Sequence, residues 1–242
     1  MLAGSAEGVS SMTNREYRLY RFSFGATIFV SLLFVVLTVL AMFLYTGGTQ
    51  DDGTLPGYSF WENFFSDLGR TEALSYAPNT ASHILFTGAL LTVGLIMLTW
   101  FLTTPVLFAR SRITRWLGSL AALSGALAGV AFVHVALTPS NLDMDRHMDH
   151  VYAGFLLFSL AVLLLTLAMF LEKGYPRVYP AVSAFFLILL VTYNWMGTAR
   201  PVFGGFSNLA IQATSQKIIV YAMVLCTGVL AYGAITVLER RR

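Results

Sequence analysis

The sequence predicts an all-α integral membrane protein: a six-transmembrane-helix bundle with a short amphipathic interfacial helix in the first extracytoplasmic loop. Three observations lead there. Hydrophobic residues make up 57% of the chain and charged residues 11%, with a mean hydropathy of +0.70, whereas a soluble domain carries about a quarter charged residues. Apolar stretches of roughly 20 residues, enough to cross a hydrocarbon core of about 30 Å, recur six times, near 19–45, 80–103, 116–137, 150–172, 179–197 and 215–238. Lipid offers no partner to an exposed backbone N–H or C=O, so such spans are helical.

The flanks of these spans orient them. One side carries Arg15, Arg18, Arg21, Arg110, Arg112, Arg115, Lys173, Arg177, Arg240, Arg241 and Arg242; the other carries only Arg70, Arg146, Arg200 and Lys217. Positive charge stays inside, so both termini are expected in the cytoplasm and the chain in the cytoplasmic (inner) cell membrane. This divides it into a cytoplasmic segment 1–18, one transmembrane domain 19–238 and a basic cytoplasmic tail 239–242. The net charge of +3 does not imply nucleic acid, because the basic residues are spread over several membrane flanks.

The elements follow in order. The first apolar run is too long for a signal-peptide core and no A-x-A site follows it, so it is expected to remain as an anchor. The longest loop, 46–79, is extracytoplasmic on this orientation. Within it Ser59 and Glu62 have capping-box spacing and Gly69 reads as a C-terminal stop. At 100° per residue Phe60, Trp61, Phe64, Phe65 and Leu68 share one face, and Glu62, Asn63, Ser66 and Asp67 the other, which predicts the interfacial helix. Gly125-Ala126-Leu127-Ala128-Gly129 in the third span is a small-residue stretch suited to close helix packing inside the bundle. The single cysteine, Cys226, excludes an internal disulfide and a cysteine metal cluster, and reads as a packing residue.

The chemistry-bearing residues gather at one end. Asn79 and His83 are one turn apart at the outer end of the second span. His134 lies near the outer end of the third, His147 and His150 open the fourth, Asn194 ends the fifth, Arg200 follows it, and Gln216 and Lys217 open the sixth. Ionisable groups at membrane depth usually face a cavity or a partner. Imidazoles with Asp67 close by suggest a divalent metal, zinc first, held by His83, His134, His147 and His150. Ser66, Asp67 and Asn79 are the candidate catalytic residues, and Asn194, Arg200 and Lys217 the candidates for binding substrate. No H-E-x-x-H pattern is present. Two histidines on facing helices also suit an axially ligated haem. The span centres carry only Ser, Thr, Gly and Cys among polar residues, which argues against transport.

Tyr58 with Asn63-Phe64-Phe65-Ser66-Asp67-Leu68-Gly69, followed by Asn79, Phe86 and Gly88, resembles the DUF998 family of six-span membrane proteins. So do Thr138-Pro139, Asp143 and His147 before an apolar helix, and the Gln216-Lys217 pair. The resemblance covers about residues 20–238 and implies roles for Ser66, Asp67, Asn79, His147 and Lys217. The layout is more distantly similar to the Frag1/DRAM/Sfk1 group, some of whose members take part in lipid-anchor remodelling; likeness of layout carries no chemistry by itself. The expected function is metal-assisted hydrolysis or remodelling of a membrane lipid. Alternatives are a non-catalytic lipid-binding protein or an accessory subunit with protein partners in the membrane, then a transporter or a haem redox protein.

Overall fold

The computed structural model describes residues 12–198 and 208–240. Six long helices carry it: α1 (Asn14–Phe43), α2 (Thr80–Thr103), α3 (Arg112–Leu137), α4 (Met144–Leu171), α5 (Val178–Thr198) and α6 (Leu209–Glu239). All six are long and apolar enough to cross a membrane, and no strand occurs among the described residues.

Several helices begin before their apolar stretch does. Hydropathy marks the part that sits in hydrocarbon, but a helix runs back to the first residue able to satisfy its free N–H groups. For α1 that residue is Thr13, whose hydroxyl accepts from Glu16 N at 3.2 Å while the Glu16 carboxylate accepts from Thr13 N at 2.8 Å. Ser111 caps α3 through Thr114 N at 3.1 Å, and Asp143 caps α4 through Arg146 N at 3.1 Å. Asn208 caps α6 through Ala210 N and Ile211 N at 2.9 Å and 3.3 Å. α4 and α6 therefore start about a turn and a half early, so His147, His150, Gln216 and Lys217 lie inside helices rather than at their tips.

Each helix packs against its neighbours in sequence, and α6 returns to α1, closing a six-membered ring. The short connections from α2 to α3, α3 to α4 and α4 to α5 make those helices antiparallel, as in other bundles. The most extensive contact joins α3 to α4. Where α2 crosses α3 the backbones approach too closely for side chains: a Cβ on Gly129 would lie 2.8 Å from Gly94 O. One turn earlier a Cβ on Gly125 would lie 2.2 Å from the Phe101 ring. The small-residue stretch of α3 thus serves internal packing. Phe22, Phe29 and Leu32 on α1, Leu95 and Leu102 on α2 and Ile188 on α5 point outward as a lipid-facing coat.

The long loop folds back over one end of the ring. It turns sharply at Gly47 and Gly48, both at positive φ; a Cβ on Gly48 would lie 2.3 Å from Ser75 N, so only glycine fits. A short helix does form in this loop, but it is a five-residue 3-10 helix, Phe65–Gly69. Residues 60–62 form a turn. The expected Ser59–Glu62 cap is replaced by Ser59 N donating to Asn63 Oδ1 at 2.9 Å. Trp61 is 64% exposed and Phe60 is also open, so the aromatic face is split. Phe65 and Leu68 turn inward, Phe65 packing against Phe34, Phe86 and Tyr221 at centroid separations of 6.0, 5.3 and 5.5 Å.

Candidate functional site

Most of the polar residues gathered at this end hold the loop down as a lid. Asn63, fully buried, is the hub: its Oδ1 accepts from Ser59 N, and its Nδ2 donates to Gly48 O at 2.9 Å and Asp67 Oδ2 at 3.4 Å. Asp67 in turn accepts from Phe64 N at 2.8 Å, starting the 3-10 helix. The other end of that helix is capped from α2. Leu68 O accepts from Asn79 Nδ2 at 3.3 Å and from Ser82 Oγ at 3.1 Å, Gly69 O from His83 Nδ1 at 2.7 Å, and Arg70 O from Asn79 Nδ2 at 3.0 Å. Carbonyls with no helical partner are thereby satisfied by side chains. The buried Asn79 Oδ1 has no partner among the described residues.

Helix α6 grips the lid from the other side. Lys217, completely buried, donates from Nζ to Asn63 O and stands 5.2 Å and 5.5 Å from the ring centroids of Phe60 and Tyr58. Gln216 Oε1 accepts from Phe65 N at 2.7 Å, and the Thr214 hydroxyl donates to Trp61 O at 3.3 Å. Asn141 exchanges two hydrogen bonds with Thr71, at 3.0 Å and 2.8 Å, and Tyr45 OH accepts from Leu74 N at 3.0 Å. Burial pushes the Asp67 carboxyl above the ordinary range, against the opposing pull of Phe64 N–H, the Asn63 amide and the Arg70 and Lys217 charges. Burial likewise raises the Tyr58 phenol, and that of Tyr45 to about 12.

Beneath the lid lies a cavity of about 40 Å³, space for about one water molecule. Its wall is mostly apolar, with Phe34, Phe86, Leu90, Phe132, Val151, Phe155, Val220 and Met223 among its residues. Three polar residues border it: Ser66 from the lid, His147 from α4 and Gln216 from α6. Among the described residues, none of α5 lines it. His147 is buried, with Nδ1 2.7 Å from Thr138 O. A carbonyl can only accept, so Nδ1 carries the hydrogen and Nε2 keeps its lone pair. Gln216 is oriented by the same logic: its oxygen takes the Phe65 N–H, which leaves the NH2 as the other arm. The Ser66 hydroxyl has no hydrogen-bond partner among the described residues.

The imidazoles, expected to converge, divide instead. His134 is exposed, its Nδ1 2.9 Å from Val130 O, and its ring lies 5.0 Å from that of His150. His83 turns to the lid and His147 to the cavity. Among the described residues, no three of His, Cys, Asp and Glu form a group that could hold a metal ion. The reason is rotational: the histidines share a depth, but their helices turn them toward different neighbours. Of the residues expected to bind substrate, Lys217 is occupied by the lid, and Asn194 donates to Ser159 Oγ at 2.7 Å between α5 and α4. Arg200 lies outside the described residues. Asp67 and Asn79, expected in catalysis, hold the lid's 3-10 helix at its two ends.

Two residues central to this end were not among the expected site positions. Asn63 and Gln216 both stood in the motifs that carry the family resemblance, and for Gln216 a polar residue followed by lysine about two turns inside an apolar helix was the available signal. No family model, no curated protein and no solved structure matches this chain.

Proposed function

We propose that this chain, a DUF998-like six-span protein, binds and remodels a membrane lipid at the cavity beneath its lid, on the extracytoplasmic side. The observation that carries this reading is the cavity itself: apolar over most of its wall and edged by Ser66, His147 and Gln216. Such a division suits an amphipathic molecule, the apolar wall taking the start of an acyl chain and the polar edge its ester or headgroup. A metal is no part of this reading. In its closed form the cavity holds only about one water, so entry displaces Phe65, the aromatic plug between Phe34, Phe86 and Tyr221.

Photo-crosslinking tests this. Purified protein in nanodiscs containing a diazirine-bearing phospholipid should yield crosslinks at Val151 and Val220 in the cavity wall. A Val151→Trp variant, which fills the space, should lose them. Crosslinks confined to coat residues such as Phe29 and Ile188, unchanged in Val151→Trp, would refute the reading.

A further inference from the structure

Resting on the lipid reading of the same cavity, we infer that Ser66, His147 and Gln216 form a serine acyl-transfer site that hydrolyses a lipid ester. The three residues come from the lid, α4 and α6, and they are the polar residues bordering this cavity. Each has an atom left over for this chemistry. Ser66 presents a hydroxyl that no described residue occupies. His147 is oriented through Nδ1 by Thr138 O at 2.7 Å, the place a carboxylate takes in a Ser-His-Asp arrangement, so Nε2 is the free base. Gln216 is fixed through Oε1 by Phe65 N at 2.7 Å, leaving its N–H donors for a developing oxyanion. Asp67 is not a member of the set: it does not line the cavity, and its Oδ2 accepts from Phe64 N and Asn63 Nδ2.

The reaction proceeds in two stages. Ser66 Oγ adds to the ester carbonyl carbon while its proton passes to His147 Nε2. The carbonyl π electrons move onto oxygen, where the Gln216 N–H receives the charge. Collapse breaks the bond to the alcohol oxygen, which leaves with the proton from His147, and Ser66 carries the acyl group. Water then adds to the acyl carbon, giving its proton to Nε2. Collapse returns that proton to Ser66 Oγ and releases a fatty acid. Phe86, Phe132 and Phe155 give the carbonyl an apolar surrounding.

The test uses the full chain in phosphatidylglycerol nanodiscs, with a fluorophosphonate probe read by intact mass and peptide mapping, and methylumbelliferyl oleate as turnover substrate. One adduct on Ser66 is expected, absent in Ser66→Ala. His147→Asn keeps a side-chain N–H for Thr138 O but no base, and should slow labelling about 100-fold. Gln216→Glu keeps the acceptor for Phe65 N–H but no donor, and should slow turnover by about 100-fold or more. A thiol-reactive dye reporting exposure of Cys226 checks that each variant is folded. No adduct on folded protein, or turnover abolished by EDTA and restored by zinc, overturns the inference. Diazirine crosslinks at Val151 and Val220 are read on the same samples. If they persist without an adduct, the acyl-transfer step fails and lipid binding stands; if both are missing, both readings fail.

Discussion

Replacing Lys217 with methionine tests whether the buried lysine clamps the lid or serves a ligand. Methionine keeps the apolar stem that lysine lays through the protein but removes the charge and its donor. Two contributions disappear. The hydrogen bond from Nζ to Asn63 O belongs to the charged class that contributes about 1.5–3 kcal/mol. The contacts with Phe60 and Tyr58, at 5.2 Å and 5.5 Å, contribute about 0.5–1 kcal/mol each. The variant is also relieved of the cost of burying an ammonium, which offsets part of that sum, so a net loss of about 2 kcal/mol is expected. At about 2–4 °C per kcal/mol for a chain of this size, the midpoint of unfolding should fall by about 4–8 °C. Cys226 supplies the assay, since it is the chain's one cysteine and is buried on α6; in detergent, a fluorogenic maleimide reports its exposure on heating. A midpoint within about 1 °C of wild type, worth under 0.5 kcal/mol on the same scale, would refute the clamp. Loss of lipid crosslinking at unchanged stability would instead return Lys217 to the binding role expected from the sequence.

Burial holds the Asp67 carboxyl above its ordinary range, so the folded protein binds that proton more tightly than the unfolded chain. The resulting stabilisation is fully present below the unfolded value, about 4, and is lost as pH rises through the folded value. The stability difference between wild type and Asp67→Asn should therefore shrink as pH is raised from about 4; a difference independent of pH would contradict the assignment. Gly125→Leu places a side chain where a Cβ already lies 2.2 Å from the Phe101 ring, and overpacking should destabilise by about 1–3 kcal/mol; a midpoint equal to wild type would show that α2 and α3 are not pressed together there. On a Cys226→Ala background, Gln50→Cys and Leu142→Cys should react with an impermeant maleimide in whole cells while Arg112→Cys is protected. The reverse pattern would overturn the orientation read from the basic flanks.

The spans were legible because hydropathy and helix length answer to one constraint, the thickness of the hydrocarbon core. Depth was legible for the same reason, since a residue's distance from a helix end follows from counting at about 1.5 Å per residue. Rotation was not. His134 and His147 share a level, yet one is exposed and the other is buried against the cavity, because which face turns inward depends on neighbours far away in sequence. The lid misled for a related reason. Helical periodicity put Asn63 and Asp67 on one polar face with Glu62 and Ser66, although Asn63 is fully buried and Asp67 nearly so while Glu62 is exposed. A buried polar side chain whose hydrogen bonds are satisfied has the same place in a sequence pattern as one that faces water. The two kinds separate only once the hydrogen bonds are counted. Asn63, Asp67, Asn79 and Lys217 are occupied in fastening the lid, while Ser66, the Nε2 of His147 and the NH2 of Gln216 remain at the cavity edge. Seven polar residues that look alike in the chain thus fall into two sets, one fastening the lid and the other bordering the cavity.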